Sequence, residues 1–422
     1  HNAVTDIYIG YIHKIMDLMK EGIYMNIKVK TGSDRFKEVA TELLQGRTFG
    51  LLTNPTGVNS QFESTIKVCA SLEGAKLTAL FACEHGIRGE RQAGVRFGDE
   101  TDPDLGIPVY SLYGETKRPT EAMLTGLDAV VFDIQDLGVR FYTYLSTLVY
   151  MMEACAKFGV RVIVLDRPNP LGGLQWEGGL LQDGYQSMVG AWIMPARTGL
   201  TIGEFALLVR DQMETSCEVK VVRMEGWTRD MEYTDTKLPW LPPSPNMPSM
   251  DTVRIYAGHC LIEGTNLSEG RGTTKPFEQV GAPWLKAEET CNELNSLHLP
   301  GAWFHPVTFT PTFSKHQGDL CHGVMTFVTD RKVYQSAIAG LHLLSTIQKL
   351  HPEEFEWLPP FKEGLLCFID SLTGSDKMRL TLHKDGGLNS ILQDWEQTHQ
   401  LWEEIRKPYL IYEAEQRNSH VL

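Results

Sequence analysis

The sequence is short of the features that announce several large function classes. No apolar run approaches the ~20 residues that a membrane-spanning helix needs, so an integral helical membrane protein is excluded. No basic stripe is present: Lys and Arg are scattered in a chain of formal charge -14, which argues against a nucleic-acid surface built on clustered cations. CxxC pairs and a dense cysteine framework are also missing. The eight cysteines (Cys69, Cys83, Cys155, Cys217, Cys260, Cys291, Cys321, Cys367) stand singly, mostly inside apolar runs. That usage suits reduced, buried thiols in a cytosolic protein better than a disulfide-stapled secreted domain. His259-Cys260, Cys321-His322 and Cys83 with His85 fit no zinc spacing, so no metal is expected. G-x-G-x-x-G does not follow the first predicted strand, and the glycine-rich segment near residue 270 lacks G-x-x-x-x-G-K. The usual dinucleotide and nucleotide cradles are thereby removed, and no cofactor is expected. Internal repeats and low-complexity tracts are absent.

The first 24 residues lack the basic start, continuous apolar core and small-residue cleavage site of a secretory signal. Met25-Asn-Ile-Lys-Val-Lys reads as a more natural beginning, so residues 1 to 24 are expected to be an extension or leader. The cytoplasm is the favoured compartment, with secretion after loss of a leader as the alternative.

What is present describes a soluble enzyme of two parts. At 422 residues, 42% hydrophobic and 22% charged, the chain exceeds one compact core and has the composition of ordinary globular proteins. Residues 25 to 250 are expected to form a Rossmann-like α/β domain, and residues 251 to 422 a smaller α+β domain closing over it. The first part alternates β-rich runs with helical patterns, the signature of a parallel sheet wrapped by helices. Its predicted strands are Phe49 to Thr53, Leu77 to Ala82, Val109 to Tyr113, Ala129 to Ile134, Val160 to Asp166 and Val219 to Arg223, with a helix from Tyr142 to Phe158.

The ends of these strands carry the chemistry. They run into Asn54-Pro-Thr-Gly57, Glu84-His85-Gly86, Gly114-Glu115, Asp133-Ile-Gln-Asp136-Leu-Gly138 and Asp166-Arg-Pro-Asn169-Pro170. Parallel strands point their carboxyl ends one way, so these clusters should share one rim, where open α/β sheets bind ligands. Asn54, Asp136 and Asn169 also suit turns and helix caps. Glu84, set among His85, two glycines and Arg88, is the first choice for a working acid. Thr201 with Glu204 reads as a capping box. Five prolines between Leu238 and Pro248 mark a stiff crossing, in which Trp240 offers a face for a sugar ring or for the core. Glu263-Gly-Thr-Asn266-Leu-Ser-Glu269-Gly-Arg271-Gly has almost nothing to bury, so it belongs on a surface or along a cleft. Helices are expected at Val333 to Leu350 and Ser390 to Arg406, and strands at Phe304 to Phe309 and Val324 to Val328.

Six ordered motifs then resemble one family. Asn54-Pro-Thr-Gly57, Glu84-His-Gly86 with Arg88-Gly89, Asp133-Ile-Gln-Asp-Leu-Gly-Val-Arg-Phe-Tyr-Thr-Tyr144, Asp166-Arg-Pro-Asn-Pro170, Pro243-Ser-Pro-Asn-Met-Pro248 and Glu263-Gly-Thr-Asn-Leu-Ser-Glu-Gly-Arg-Gly272 resemble the exo-β-N-acetylmuramidases. The resemblance runs over nearly the whole chain from about Met25. It implies a glycoside hydrolase that removes terminal N-acetylmuramic acid from the non-reducing ends of peptidoglycan fragments, a muropeptide or disaccharide substrate, and a cleft between two domains with no metal or nucleotide. The family's Glu-His-Gly glutamate falls on Glu84.

Glycosidic cleavage usually needs two carboxyls flanking the bond. With Glu84 as proton donor, Glu269 is the expected second carboxyl, followed by Glu263, Asp133 and Asp136. His85 would hold Glu84 or the 2-acetamido group. Arg88, Arg140 and Arg271 are the cations expected at the lactyl carboxylate. Asn54, Asn169, Asn266 and Tyr142 complete the expected lining. Thr198 stands where many relatives have histidine, which bears on sugar preference. Two rival readings are a hydrolase with Cys83 as nucleophile beside His85, and a non-catalytic muramyl-sugar binder.

Overall fold

The computed structural model describes residues 29–414, so the extension expected over residues 1 to 24 lies outside the described residues. The chain opens with helix α1 (Gly32–Leu44), started by a capping box in which Thr31 and Asp34 bond each other's backbone N–H. Then follow β1 (Thr48–Thr53), α2 (Thr65–Ala70), β2 (Lys76–Ala82), a two-residue β3 (Glu100–Thr101), β4 (Pro108–Ser111), α3 (Glu121–Leu124) and β5 (Ala129–Asp133). Helix α4 (Thr143–Phe158), β6 (Arg161–Leu165), α5 (Ile202–Gln212) and β7 (Val219–Val222) complete the first layer system.

These strands form one seven-stranded sheet in the order β3-β4-β2-β1-β5-β6-β7. All neighbours are parallel except the edge pair β3 and β4. Every residue of β5 is buried, because helices cover both faces and the usual alternation disappears. Helix α4 is apolar nearly all round for the same reason, and Gly159 ends it in the left-handed conformation, its N–H on the Cys155 carbonyl. The predicted α/β class and a Rossmann-like parallel sheet are therefore present. The chain builds outward from β1 through β2 to β4, then returns to lay β5 on the other side of β1. That reversal opens a crevice above the ends of β1 and β5. Strand β4 stops at Ser111, short of the predicted Tyr113, which frees Tyr113 for the rim loop.

The second half begins with α6 (Tyr233–Thr236) and the proline-rich crossing, which has no helix or strand. Trp240 is held there by its indole N–H on the Met247 carbonyl and an edge contact with Tyr233, a framework role. Helix α7 (Met250–His259) and a 3-10 turn (Cys260–Gly264) lead into β8 (Gln279–Ala282), α8 (Ala287–Ser296), β9 (Ala302–Phe309) and β10 (Cys321–Val328). An antiparallel sheet of order β8-β10-β9 results. Helices α9 (Ser336–Leu350), α10 (Phe368–Thr373), α11 (Lys377–Thr381) and α12 (Gly387–Arg406) follow. Gly258 of α7 and Gly340 of α9 meet backbone to backbone, and a Cβ at either would strike the other helix.

One apolar core runs through both halves, including Leu148, Phe205, Tyr256, Leu341 and Trp402. A separate cluster with Phe36, Leu51, Val131 and Ile163 fills the opposite face of the large sheet. The C-terminal part returns to that sheet. Trp402 donates to the Thr198 carbonyl at 2.8 Å, and the Tyr412 hydroxyl bonds Asp166 at 2.6 Å. The two sheets are thus separate along the chain but joined in packing. Among the described residues, no helix is long and apolar enough to cross a membrane.

Candidate active site

Glu84 lies two residues beyond β2 and is buried. The turn after it is sharp: His85 and Gly86 both adopt positive φ, 74° and 78°, and the Gly86 N–H closes on the Cys83 carbonyl. For a histidine this left-handed conformation is uncommon, and here it redirects the loop so that residues 88–99 fold back over the carboxyl. Gly94 N–H donates to Glu84 Oε1 at 2.9 Å, and Thr143 Oγ1, in the first turn of α4, donates to Oε2 at 2.8 Å. The Tyr113 phenol faces the same carboxyl, and burial followed by the Glu84 charge pushes its pKa up. His85 Nδ1 bonds the Arg91 carbonyl at 2.8 Å. Because a carbonyl only accepts, Nδ1 carries the proton and Nε2 is the free acceptor. Burial lowers the imidazole pKa and the charge of Arg271 adds to that, against Glu84 and the Arg91 carbonyl, so neutrality is favoured.

That influence of Arg271 brings the glycine-rich segment to the same side as Glu84. A ladder of rings makes the physical connection. Tyr142, just before α4, meets Tyr256 of α7 at 5.9 Å; Tyr256 meets Phe277 at 4.7 Å; the Arg271 guanidinium covers Phe277 at 4.9 Å. Glu263 also acts on the Tyr113 phenol. Within the segment the charges are mutually engaged. Arg271 bonds Glu263 at 2.7 Å and approaches Glu269 at 3.3 Å, while Lys315 meets the other Glu269 oxygen at 3.0 Å and Ser314 donates to the first at 3.2 Å. Burial raises the Glu269 pKa, but Lys315 and Arg271 more than reverse this and hold it below the usual value.

Asp136 is the contrasting carboxyl. Its Oδ2 accepts from Gly138 N–H, whereas Oδ1 is buried without a partner. Burial raises its pKa to about 7 against the backbone N–H groups of Gly138 and Leu137. Its charge and that of Glu84 both reach Tyr142, whose buried hydroxyl has the Ser244 and Tyr144 hydroxyls beside it but no well-aligned hydrogen bond. Ser244 faces Tyr142 from the proline-rich crossing, and two residues on the Asn246 amide nitrogen is buried without an acceptor.

Several expected lining residues serve the framework instead. Asp133 makes a buried bidentate pair with Arg167 at 2.6 and 2.9 Å and also accepts from Thr65, which leaves it no capacity as a second carboxyl. Arg140 spends its guanidinium on the carbonyls of Gly179, Met194 and Leu372, binding the two halves together; it is not a free cation at the rim. Asn169 turns its loop by accepting from Leu171 and donating to Leu200. Asn266 pins residues 354 and 356 through both ends of its amide. Asn54 accepts from Thr56 and reaches the Pro243 carbonyl at 3.4 Å, tying the first rim loop to the crossing. Arg88 is exposed and makes no ion pair among the described residues. Thr198 bonds the Gly138 carbonyl and the Leu200 N–H beneath the Asp136 loop.

Sequence reasoning did not name Gly94, Thr143, Tyr113, Asn246, Ser314 or Lys315 as site residues. Thr143 carried a signal, since it lies inside the Asp133–Tyr144 motif. The Cys83 alternative fails on geometry and acidity: the thiol is fully buried and burial pushes its pKa far up, the reverse of an activated nucleophile. Among the described residues no group of His, Cys, Asp and Glu is arranged to hold a metal ion.

Comparison with known proteins gives a consistent picture. Residues 49–251 match the family model described as exo-beta-N-acetylmuramidase NamZ, N-terminal, and residues 254–412 match its C-terminal counterpart. The chain is similar to the peptidoglycan beta-N-acetylmuramidase NamZ of Bacillus subtilis (strain 168), with 46% identity over 385 residues, 91% of this chain and 92% of the relative. Two solved DUF1343 family proteins of Bacteroides fragilis NCTC 9343 share the fold. One is 34% identical with a TM-score of 0.85, covering 92% of this chain and 100% of the other. The second is 29% identical with a TM-score of 0.72, covering 92% and 99%.

Proposed function

The chain belongs to the exo-beta-N-acetylmuramidase NamZ family, and we propose that it acts through Glu84 as the proton donor. It is an exo-acting glycoside hydrolase that releases terminal N-acetylmuramic acid from the non-reducing ends of peptidoglycan fragments. The observation that carries the role of Glu84 is its grip. Thr143 and Gly94 fix one oxygen each, so the carboxyl is aimed before substrate arrives.

For the second carboxyl the geometry favours Asp136 over Glu269. A base must have a lone pair to spare and a pKa near the working pH. Asp136 has an unpartnered oxygen and a pKa of about 7, whereas each oxygen of Glu269 faces a cation that keeps it ionised. Strands β2 and β5, which lead to Glu84 and Asp136, flank β1. Their ends therefore stand two strand spacings apart, about 9–10 Å. Both carboxyls stand in loops, two and three residues beyond those strands, and we read the pair as the wider kind, ~6.5–9.5 Å apart, that admits a water between acid and base. In this scheme Glu84 protonates the leaving oxygen as the C1–O bond breaks. Water adds to C1 from the opposite face and gives its proton to Asp136, with inversion. Glu269 with Lys315 and Arg271 forms the wall on the far side of the ring ladder.

The test is Glu84→Gln assayed on a chromogenic β-glycoside of N-acetylmuramic acid. Turnover should fall by roughly 10²- to 10⁴-fold with the melting temperature retained. A rate within a few-fold of wild type would remove Glu84 from the chemistry. We further propose a division near residue 250, since the large sheet ends at Val222 and the small one begins at Gln279. The cytoplasm is the proposed compartment, supported by eight free cysteines, seven of them buried. Fractionation of the native host checks this.

A further inference from the structure

In a chain of charge -14, cations near the site are mostly consumed. Arg271 is held by Glu263 and Glu269, Arg91 by Glu90 and Glu100, Arg167 by Asp133 and Arg140 by three carbonyls. Beside Glu84 two cations break that rule. Arg96 and Lys117 make no ion pair and no hydrogen bond among the described residues. Arg96 stands two residues beyond Gly94, the residue whose N–H holds Glu84, and lines a cavity of about 800 Å³ with Ser111, Gly114, Thr116 and Thr120. Lys117 lies 6.0 Å from the centroid of the Tyr113 ring, the phenol that faces Glu84.

The two cations are close enough to feel each other. Burial lowers the Lys117 pKa and the Arg96 charge lowers it further, while Glu84 opposes both. Glu115 and Asp99 line the same cavity and pair with neither cation; Asp99 instead accepts from the Ser111 N–H. Glu84 attracts Lys117 more weakly than Arg96 repels it, and its oxygens bond Gly94 and Thr143 instead of either cation. Like charges repel, the Glu84 charge offsets that only in part, and an arriving carboxylate would relieve the remainder while gaining charge-assisted hydrogen bonds. Among the described residues Arg88 is also unpaired, but unlike Arg96 it does not line this cavity; Lys117 does not line it either and stands beside it at the Tyr113 ring.

We propose that Arg96, with Lys117 beside it, receives the carboxylate of the lactyl ether, the group that separates N-acetylmuramic acid from N-acetylglucosamine. The proposal rests on Glu84 as the acid, because the lactyl ether sits on O3 of the same ring whose C1 is attacked. Its partner cations must then stand next to the acid, as these do. Arg96 is exposed, so the carboxylate enters from the open edge of the cavity, with the partly covered Lys117 beside it. A lactyl group amidated by a stem peptide carries no charge there and gains less from the pair.

The test separates this site from the chemistry by measuring binding as well as turnover. Inhibition constants are determined for N-acetylmuramic acid and for its lactyl methylamide, with wild type and with Arg96→Ala, Lys117→Ala and Arg96→Lys. Wild type should prefer the acid, and Arg96→Ala should cut that preference by roughly 10- to 100-fold, through the acid alone. Lys117→Ala should cut it less, and Arg96→Lys should restore part of it. Both positions are on the surface, and circular dichroism checks that the fold is kept. An unchanged acid-to-amide ratio in Arg96→Ala, in an enzyme that still cleaves the muramic glycoside, overturns this assignment and leaves Glu84 standing. A wild-type enzyme that binds the acid no better than the amide overturns it too. Glu84→Gln with near-normal turnover would sink the reading beneath it instead, and the placement of the lactyl site with it.

Discussion

The rim loops around Glu84 and the glycine-rich segment around Glu269 are made of the same residue types and finish in opposite states. In the segment every carboxylate has its cation: Glu263 with Arg271, Glu269 with Arg271 and Lys315, Glu278 with Lys275. At the rim, valence is left over. Asp136 Oδ1 and the Asn246 amide nitrogen are buried without a side-chain partner, whereas Glu269 Oε2, which also lacks a well-aligned hydrogen bond, has the Lys315 ammonium at 3.0 Å. A buried polar group left unmade costs free energy that only a ligand or water can return. The difference teaches where substrate belongs. Charges that satisfy one another hold loops in place, and those left open mark what the fold keeps for something else.

The sharpest way to test this contrast is through turnover. Glu84→Gln carries the largest expected loss. Asp136→Asn comes next, at about 10²-fold in kcat. Its pH dependence is the more discriminating readout. Asp136 accepts a proton only when ionised, so wild-type kcat/KM should fall as pH drops through about 7, and the Asn variant should lose that limb. Stability moves the other way. The folded pKa of Asp136 lies above its ordinary 3.8, so the folded state binds the proton more tightly. The stability that this gives is full at low pH and is lost as pH rises towards 7. A melting temperature measured across that range should decline less in Asp136→Asn than in wild type. Unaltered profiles for both rate and melting would return the second carboxyl to Glu269.

How much of this was legible in the sequence follows the same divide. Strand ends could be read because the C-terminal halves of β1, β2, β5 and β6 are buried on both faces and lead into polar residues; hence Glu84 and the Asp133–Gly138 loop were found together. Pairing could not be read. Lys315 lies 46 positions from Glu269, and Arg140 reaches carbonyls 39, 54 and 232 positions away, contacts that no local pattern encodes. Asp133 resembles Asp136 in sequence, and only Arg167 arriving from the end of β6 separates the two. Helices α1, α7 and α8 were also unread, since each has a polar face and modest length. Tyr113 was hidden by the expectation that β4 would run two residues further.

A smaller effect on catalysis and a clear one on stability are expected in the paired region. Glu269→Gln leaves Lys315 facing an uncharged amide and Arg271 with only Glu263. The cost should fall near the lower end of roughly 3–5 kcal/mol for breaking a buried pair. Because the folded pKa of Glu269 is lowered from 4.5, its contribution exists above that value and is lost as pH falls through the folded pKa. The gap in melting temperature between wild type and variant should therefore be full at neutral pH and close in acid, the mirror image of Asp136. Chemical denaturation at pH 7 and at about pH 2.5, well below the ordinary carboxyl value, measures it. A gap that is equal at both would show that the pair adds no charge-dependent stability.

The smallest effect is expected at Cys83, which touches the contrast from inside the core. It directly precedes Glu84, so a nucleophilic thiol would make its serine variant nearly inactive. The structure instead buries it completely at the end of the β2 segment, pushes its pKa up by burial first and by the Glu84 charge second, and uses its carbonyl to close the turn at Gly86. A backbone role survives a change of side chain. Cys83→Ser should therefore cleave the muramic glycoside within about two-fold of the wild-type rate, at some loss of stability because a hydroxyl replaces a thiol in an apolar site. Iodoacetamide should leave the folded enzyme active, since no solvent path reaches the sulfur and its thiolate is scarce. Rapid inactivation by that reagent, traced to Cys83 by peptide mapping, would reopen the thiol route and set the neighbouring glutamate aside as its helper.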